Sequence, residues 1–519
     1  MGETKSGSAA GQANATEVFA VHGAEPEVQA YAMAKYSRSA LSMKESLREI
    51  SSQKAEKFLN TFYFQYGHRS IADLAHIALA VERLSILAAI ALVDEQRWDG
   101  QERSTRYQDF RKSGYYQPDF GDERAQRLYS DTVDRLFADY EGLSDRMWRH
   151  LVAQTPKPAE MKQEAYERTL RARAFDVARY LLPLATITSL GEIVNARTLE
   201  NQVSHLLSHT HAEVRHLGEL LKRAATEPAY NVNHEQWRAL VEDIRLVNGS
   251  LGGRAEAELL KPVRVAPTLV KYADPNPYEM QTRRELSQAA AELMDGAEIA
   301  PARQVELLDD GPLEAELAAT LLYEHSHYPY RQVREAVEGA GEKQRQEIID
   351  LGMRHRGKHD ELLRAFCAGQ KLRFDILMDI GGFRDMHRHR RCVQIGQEFT
   401  TAHGYELPEE LQAAGETGAY EQAMRRSEEA LEQLAKSAGP EALQNSQYAI
   451  PLGFRKRTLF KMDFAEAVYI SELRTGQAGH MSYRKIAWAM YEEVARRYPA
   501  LAKYFRVQDV REPVDLLKR

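Results

Sequence analysis

Apolar residues along this chain recur mostly with a helical period. Between Asp122 and Gln154, the residues Leu128, Val133, Leu136, Phe137, Tyr140, Leu143, Met147 and Leu151 follow one another mostly at three- and four-residue spacing, which predicts a long amphipathic helix. A second amphipathic stretch, rich in Glu, Ala and Arg, runs from about Tyr420 to Leu434. The segment Lys371 to Ile380 alternates briefly and ends at Gly381-Gly382, which predicts a strand. The most apolar run, Ile77 to Val93, is interrupted by Glu82 and Arg83; its length and internal charge pair predict a buried core segment, not a membrane span. Val265 to Met280 has three prolines and no sustained period, the pattern of a linker.

That linker lies near the middle of the chain, and similar segments occur in the same order on either side of it. Lys35 to Ser39 has a counterpart in Tyr323 to His327, and Gly67 to His76 in Gly357 to Phe366. Tyr180 to Thr188 (YLLPLATIT) matches Tyr448 to Lys456 (YAIPLGFRK), each followed by a helical segment of similar type. The shared order of three pairs points to two related halves.

At 519 residues, two or three domains are the reasonable expectation. A net charge of −7 gives no support for bulk attraction to nucleic acid or to an anionic membrane. Two cysteines, Cys367 and Cys392, rule out a disulfide framework and a four-cysteine zinc site, and fit a reducing cytoplasm. The small polar N-terminus lacks an apolar signal core and reads as a flexible tail.

The densest charge cluster is Arg384-Asp-Met-His-Arg-His-Arg-Arg391, directly after the expected strand and the Gly-Gly pair. Closely spaced guanidiniums offer forked donors to phosphate or carboxylate groups, which makes this run the leading candidate for an anion site. Other clusters are weaker. His205 and His209 lie one helical turn apart, as do His355 and His359, without the glutamate of a metalloprotease pair, so no metal site is expected. Cys392 reads as a small apolar filler, and Arg455-Lys-Arg457 with Lys461 as a solvated basic face.

Arg388-His389-Arg390 resembles the start of the signature of flavin-dependent thymidylate synthases, which continues through seven residues to a Ser and then an Arg-Tyr pair. Here Glu398 stands in place of that Ser, and Thr400-Thr401 in place of Arg-Tyr. The first half shows the reverse: Glu102-Arg-Ser104-Thr-Arg106-Tyr107 is similar to the end of the signature, while Asp94-Glu95-Gln96 replace its Arg-His-Arg. Arg179 matches a family arginine that contacts the dUMP phosphate; its second-half equivalent is Gln447. Conversely, Arg474 matches a second such arginine, which is Leu207 in the first half. Ser37, His68, Ser70, Asn201 and His211 fall at flavin-contacting positions.

The resemblance implies an α+β fold of two homologous thymidylate-synthase-complementing-type domains, each a small antiparallel sheet with long helices, arranged as a pseudo-dimer. It divides the chain into a tail (1–16), a first domain (17–264), a linker (265–284) and a second domain (285–519). It implies FAD-dependent methylation of dUMP to dTMP, with methylenetetrahydrofolate as one-carbon donor and NADPH as reductant. The signature parts are complementary, so one composite site is expected. Ser104, Arg106 and Arg388 would be catalytic, and Ser104, Arg106, Arg179 and Arg474 would hold the nucleotide. Glu102, Arg388, His389 and Arg390 would join Ser37, His68, Ser70, Asn201 and His211 on the flavin. The alternative is a non-catalytic flavin- or nucleotide-binding descendant. A cytoplasmic homodimer, reproducing the family's homotetramer, is the implied assembly, with no nucleic acid or membrane partner.

Overall fold

A computed structural model describes residues 21, 23–35, 43–49, 69–308, 312–357, 363–366, 372–439, 441–503 and 505–517. Ser37, His68, His359, Cys367 and parts of the first two repeated segment pairs lie outside the described residues. The chain forms two compact units that do not follow its two sequence halves: Met1–Ile77, Asn195–Arg197 and Arg223–Tyr272 make the first, and the remainder makes the second.

In the first unit, the helices His234–Val247 and Gly249–Leu259 meet so closely that a Cβ on Gly252 would stand 2.7 Å from the Arg245 Cα. The buried carboxylate of Glu27, on the helix Pro26–Lys35, accepts from the backbone N–H groups of Thr268 and Leu269 at 2.8 and 2.7 Å. Ala266, Leu269 and Val270 are buried, so the proline-bearing stretch after residue 264 is packed along part of its length. In the second unit, Pro277 opens the helix Pro277–Leu293, a position where its missing N–H costs nothing.

Apart from a few end residues, the second unit holds both sheets. Strands β1 (His76–Ser85), β2 (Asp99–Glu102) and β3 (Ile187–Asn195) form one sheet in the order β1-β3-β2, with β2 and β3 antiparallel. Strands β4 (Val305–Leu307), β5 (Leu372–Asp379), β6 (Val393–Gly396) and β7 (Arg455–Met462) form an antiparallel sheet in the order β4-β5-β7-β6. The order β5-β7-β6 repeats β1-β3-β2. The expected strand at 371–380 is β5, and the apolar run 77–93 is β1 followed by the buried helix Ile86–Leu92. Glu82 and Arg83 stay exposed, and Arg83 takes a φ of 62°, outside the usual range for a side chain of its size.

The long expected helix is Glu123–Gln154, capped by Asp122, whose carboxylate accepts from the N–H groups of Arg124 and Ala125. Its buried stripe includes Tyr129, Val133, Leu136, Tyr140, Leu143, Met147 and Leu151. The second expected helix is Thr417–Ala435, and Arg426 on it pairs with Asp139 of the first at 2.6 Å.

The matched segments around Tyr180 and Tyr448 run against each other. Pro183 bridges Pro451; Leu184 N–H donates to the Ile450 carbonyl and Leu452 N–H to that of Leu182, both at 2.9 Å. Ala185 N–H donates to Tyr448 at 2.7 Å and Gly453 N–H to Tyr180 at 2.9 Å. Each bond recurs with its partners exchanged between the matched segments, the pattern of a two-fold axis passing between Pro183 and Pro451. The capping residues repeat too: the Ser85 hydroxyl accepts from Ala88 N–H at the start of one short helix, and the Asp379 carboxylate from Gly382 N–H at the start of the other, Ile380–Met386.

The basic run 455–461 is not a solvated face. Arg457 pairs with Asp375 at 2.9 Å, and the same carboxylate accepts from Tyr323 Oη at 2.7 Å and Tyr330 N–H at 2.8 Å. Lys461 and Arg373 share Glu316. These groups are buried between β5, β7 and the helix Leu313–Tyr323. Buried charges persist only when paired and hydrogen-bonded, and all of these are.

Candidate active site

The basic cluster begins on the last turn of the helix Ile380–Met386 and continues into the turn before β6. Two glycines at the start of this helix give it room. A Cβ on Gly381 would stand 3.2 Å from Asp379 Oδ1 and 3.4 Å from Arg179 Nε, and one on Gly382 would stand 2.8 Å from Ser482 Oγ. The glycines admit these neighbouring protein side chains.

Facing this helix is the loop after β2, residues 103–107. Its backbone is held by Arg103 N–H donating to the Ser189 carbonyl at 2.9 Å, and by Arg106 N–H donating to Ser104 Oγ at 3.2 Å. Arg384 Nη2 donates to Glu102 Oε1, a pair in which both side chains are buried. Thr105 Oγ1 accepts from Arg384 Nη1 at 3.4 Å and from Arg179 Nη1 at 3.5 Å. Arg179 in turn reaches Asp385 Oδ2 at 3.4 Å. Residues from both halves of the sequence therefore meet around one loop.

Arg106 lies at the side of this group. Its guanidinium donates to Asp176 Oδ1 at 2.8 Å, to Tyr483 Oη at 2.8 Å and to the Ala478 carbonyl at 3.1 Å. Burial alone would lower its pKa, but Asp176 outweighs that and raises it. Arg474 stacks over the same Tyr483 ring, 5.4 Å from its centroid, and its Nε donates to His389 Nε2 at 2.8 Å. His389 is buried, and burial, only partly opposed by Glu466, holds its pKa below the usual value, so the ring is a neutral acceptor. His480 Nε2 donates to the Asp176 carbonyl at 2.9 Å, and burial with the nearby Arg179 pushes its pKa down to about 3.

Asp385 is the negative centre of the arrangement. Burial pushes its pKa up, but Arg179, Arg106, Arg474 and Arg388, acting through space, outweigh this and lower it. The four arginines expected to carry the chemistry thus all lower the pKa of one carboxylate, and Arg179 touches it.

Arg388 itself is exposed, and no hydrogen bond or ion pair engages it among the described residues. It lines a pocket with Ile90, Val93, Trp98, Glu102, Arg384, His387 and Arg390. Trp98 gives the pocket an aromatic wall; Arg390 lies 5.5 Å from its ring centroid and pairs with Asp99 at 2.9 Å. Trp98, Arg384, Asp385, Thr105, Asp176, Tyr483 and His480 were not singled out as site residues from the sequence. The signals were that Arg384 and Asp385 sit in the basic cluster, Thr105 between Ser104 and Arg106 of the signature, and His480 and Tyr483 in the segment that carries Arg474.

The remaining expected residues fall elsewhere. Ser70 is exposed on the 3-10 turn Arg69–Leu74, in the first unit. Asn201 lies on the helix Ala196–Leu207. His211 is buried edge-on to Tyr448, 5.5 Å between centroids, with Glu398 as its strongest acidic influence. Burial pushes its pKa down to about 4. Across the two-fold pattern His211 corresponds to His480, and Glu398 to Ser104. Among the described residues no group of three or more His, Cys, Asp or Glu side chains is placed to hold a metal ion; His205 pairs instead with Glu95 and Glu279, at 2.9 and 3.1 Å. Cys392 is buried, and burial pushes its thiol up to about 12.

The family model of the thymidylate synthase complementing protein matches residues 19–229 and again 305–500. The chain belongs to this family. It is 27% identical over 532 aligned residues to a UPF0159 protein of Chlamydia muridarum, covering 95% of this chain and 92% of that one. A UPF0159 protein of Thermoplasma acidophilum is 24% identical, covering 89% and 90%. A flavin-dependent thymidylate synthase of Clostridium tetani is 24% identical over 210 residues, covering 40% of this chain and 80% of its own. Among solved structures, the Helicobacter pylori flavin-dependent thymidylate synthase complexed with FAD and dUMP aligns at 15% identity and a TM-score of 0.27, covering 39% of this chain and 89% of that one. The two family segments carry the two sheets of the same order, so the α+β arrangement expected from the sequence is the one found.

Proposed function

We propose that the second unit carries one composite site, built from both sequence halves, for FAD-dependent methylation of dUMP to dTMP. Methylenetetrahydrofolate would be the one-carbon donor and NADPH the reductant. The observation that carries this reading is the meeting of Glu102 with Arg384 and of Arg179 with Asp385, with Thr105 between them. The repeated order of strands and the exchanged hydrogen bonds around Pro183 and Pro451 support descent of the two halves from one duplicated domain, packed as a pseudo-dimer. Pairing of two such chains, in the cytoplasm, would reproduce the family's four-domain assembly.

The residues present suit the ligands. Ile90, Val93 and Trp98 give this region an apolar and aromatic side, and Arg384, Arg388 and Arg390 a cationic rim suited to an anionic group. Arg179 Nε, on a side chain 2% exposed, has no hydrogen-bond partner, a donor of the kind an anionic ligand would satisfy. FAD, when bound, would supply the hydride. Arg388, Arg474 and Arg179 would hold the nucleotide phosphate and offset negative charge developing on the pyrimidine ring. Neutral His389 orients Arg474, and Ser104 shapes the loop that carries Thr105 and Arg106.

One observation favours a second reading, a nucleotide- or flavin-binding protein without turnover: Arg106 is spent on Asp176, Tyr483 and the Ala478 carbonyl. The test begins with colour. The purified chain reconstituted with FAD should show the oxidised-flavin spectrum, and dUMP should perturb it; Arg388→Ala should weaken that response at least tenfold. Rescue of a thymidine auxotroph then separates enzyme from binder. A chain that stays colourless would refute both flavin readings.

A further inference from the structure

The first family segment ends at residue 229 and the second begins at 305, so the helices His234–Val247 and Gly249–Leu259 are an addition to the family fold. Both lie in the first unit and form a hairpin. Among the described residues, the four most exposed large apolar side chains belong to this hairpin and its base: Tyr230 at 92%, Val247 at 90%, Leu246 at 87% and Val232 at 78%. Leu240 and Leu251 are about half exposed. Exposed apolar residues scattered singly are ordinary, but gathered on one short element they mark an interaction surface.

The hairpin is well tied but has almost no core. Gly252 lets its helices approach closely, Asn248 Oδ1 caps the second by accepting from Leu251 N–H at 3.0 Å, and Arg245 pairs with Glu256 across the two. Yet of the first helix Val241 is buried, and of the second Gly252, with the rest half-buried or exposed. Trp237, Leu240, Ile244 and Val247 follow one another at spacings of three, four and three, the seam by which one helix meets another. Trp237 and Ile244 are half-buried, whereas Leu240 and Val247 leave the seam open to solvent.

Charge and dimensions select the partner. Residues 230–260 carry three arginines against five acidic side chains, and Arg238 and Arg245 are paired with Glu235 and Glu256. An anionic membrane or a nucleic acid would meet net repulsion here. The tip, with Leu246, Val247 and Leu251, and the base, with Tyr230 and Val232, are separated by a helix of 14 residues, about 21 Å. Two hairpins laid antiparallel about a two-fold axis near Leu240 set each apolar tip against the other's apolar base. At roughly 150 Å² for each large apolar side chain, the six residues expose about 650 Å² per chain. That lies within the about 600–1,000 Å² per partner of a specific interface. We propose that the hairpin is a self-association surface, which joins two copies of the chain through an antiparallel four-helix bundle outside the family fold. The pairing depends neither on the site described above nor on any contact between family segments.

The experiment measures the mass of the full chain by sedimentation velocity across the micromolar range, beside the double variant Leu240→Glu, Val247→Glu. Both positions are exposed, so the fold tolerates the charges, and circular dichroism checks this. The variant should have half the mass of the wild type, whether the wild type is a dimer or, with a second contact through the family segments, a tetramer. A wild-type chain that stays monomeric, or a folded variant of unchanged mass, would overturn the proposal. Orientation is read from cysteine variants, with the wild type and its own two cysteines as control. Val232→Cys mixed with Leu251→Cys should give a disulfide-linked pair, which decides the matter even if the glutamate variant does not fold. A disulfide formed by Leu251→Cys alone would place tip against tip and refute the antiparallel arrangement. A monomer that instead binds neutral lipid vesicles through the hairpin would assign the surface to a membrane and likewise refute self-association.

Discussion

Glu192 lies on β3 at 2% exposure, and its Oε2 accepts from Trp98 Nε1 at 2.6 Å and from Gln202 Nε2 at 3.2 Å. Burial pushes its pKa from 4.5 up to about 7, against the opposing pull of those two hydrogen bonds. A rise of this size corresponds to about 3 kcal/mol between protonation states. Because the folded-state pKa lies above the unfolded one, the favourable contribution is complete below pH 4.5 and is lost as pH rises through about 7. Glu192→Gln keeps an acceptor for the Trp98 N–H and removes the ionisation. The variant should therefore match the wild type near pH 5 and exceed it by up to about 3 kcal/mol near pH 8.5. Thermal midpoints from pH 5 to 8.5 provide the stability readout. Tryptophan fluorescence, with a transition near pH 7 that disappears in Glu192→Gln, reports locally, since Trp98 is the hydrogen-bonded partner. Midpoints of the two proteins that run parallel across this range would refute the reasoning.

Asp375→Ala would strand Arg457 in the interior and should lower stability by about 3–5 kcal/mol, read as a shift of the urea midpoint. Gly382→Ala brings a methyl group to 2.8 Å from Ser482 Oγ and 3.0 Å from Asp379 Oδ2, and should cost about 1–3 kcal/mol in the same assay. His205, held by Glu279 and Glu95 against the opposing effect of burial, has its pKa raised to about 10. Its stabilisation should be present below pH 6.5 and lost as pH rises through 10. With the side chain half exposed, the effect is about 1 kcal/mol at most, measurable as the difference in thermal midpoint between wild type and His205→Gln at pH 7 and pH 10.

Much of the architecture was legible because amphipathic period is a local property. The stripe through Val133, Tyr140 and Met147 and the alternation before Gly381 are written within single segments. The basic run at 455–461 misled, because its partners Asp375 and Glu316 lie on segments remote in sequence, and nothing local distinguishes a paired buried lysine from a solvated one. The site divides in the same way. Arg179, Arg388 and Arg474 could be named from motif spacing, whereas the engagement of Arg106 by Asp176 and the position of Asp385 among the guanidiniums arise only when distant segments converge. Trp98 carried no motif at all; it directly precedes β2 and becomes a wall only where Arg388 and Arg390 of the second half come beside it.

The reciprocal backbone bonds at Pro183 and Pro451 join parts of a single polypeptide. A contact of this kind between separate chains weakens on dilution, whereas here the effective local concentration is set by the intervening chain. Its occupancy should be the same at nanomolar as at millimolar protein. Either strand can also change in sequence without a simultaneous change in the other, a freedom denied to a contact between identical copies, in which every substitution falls twice.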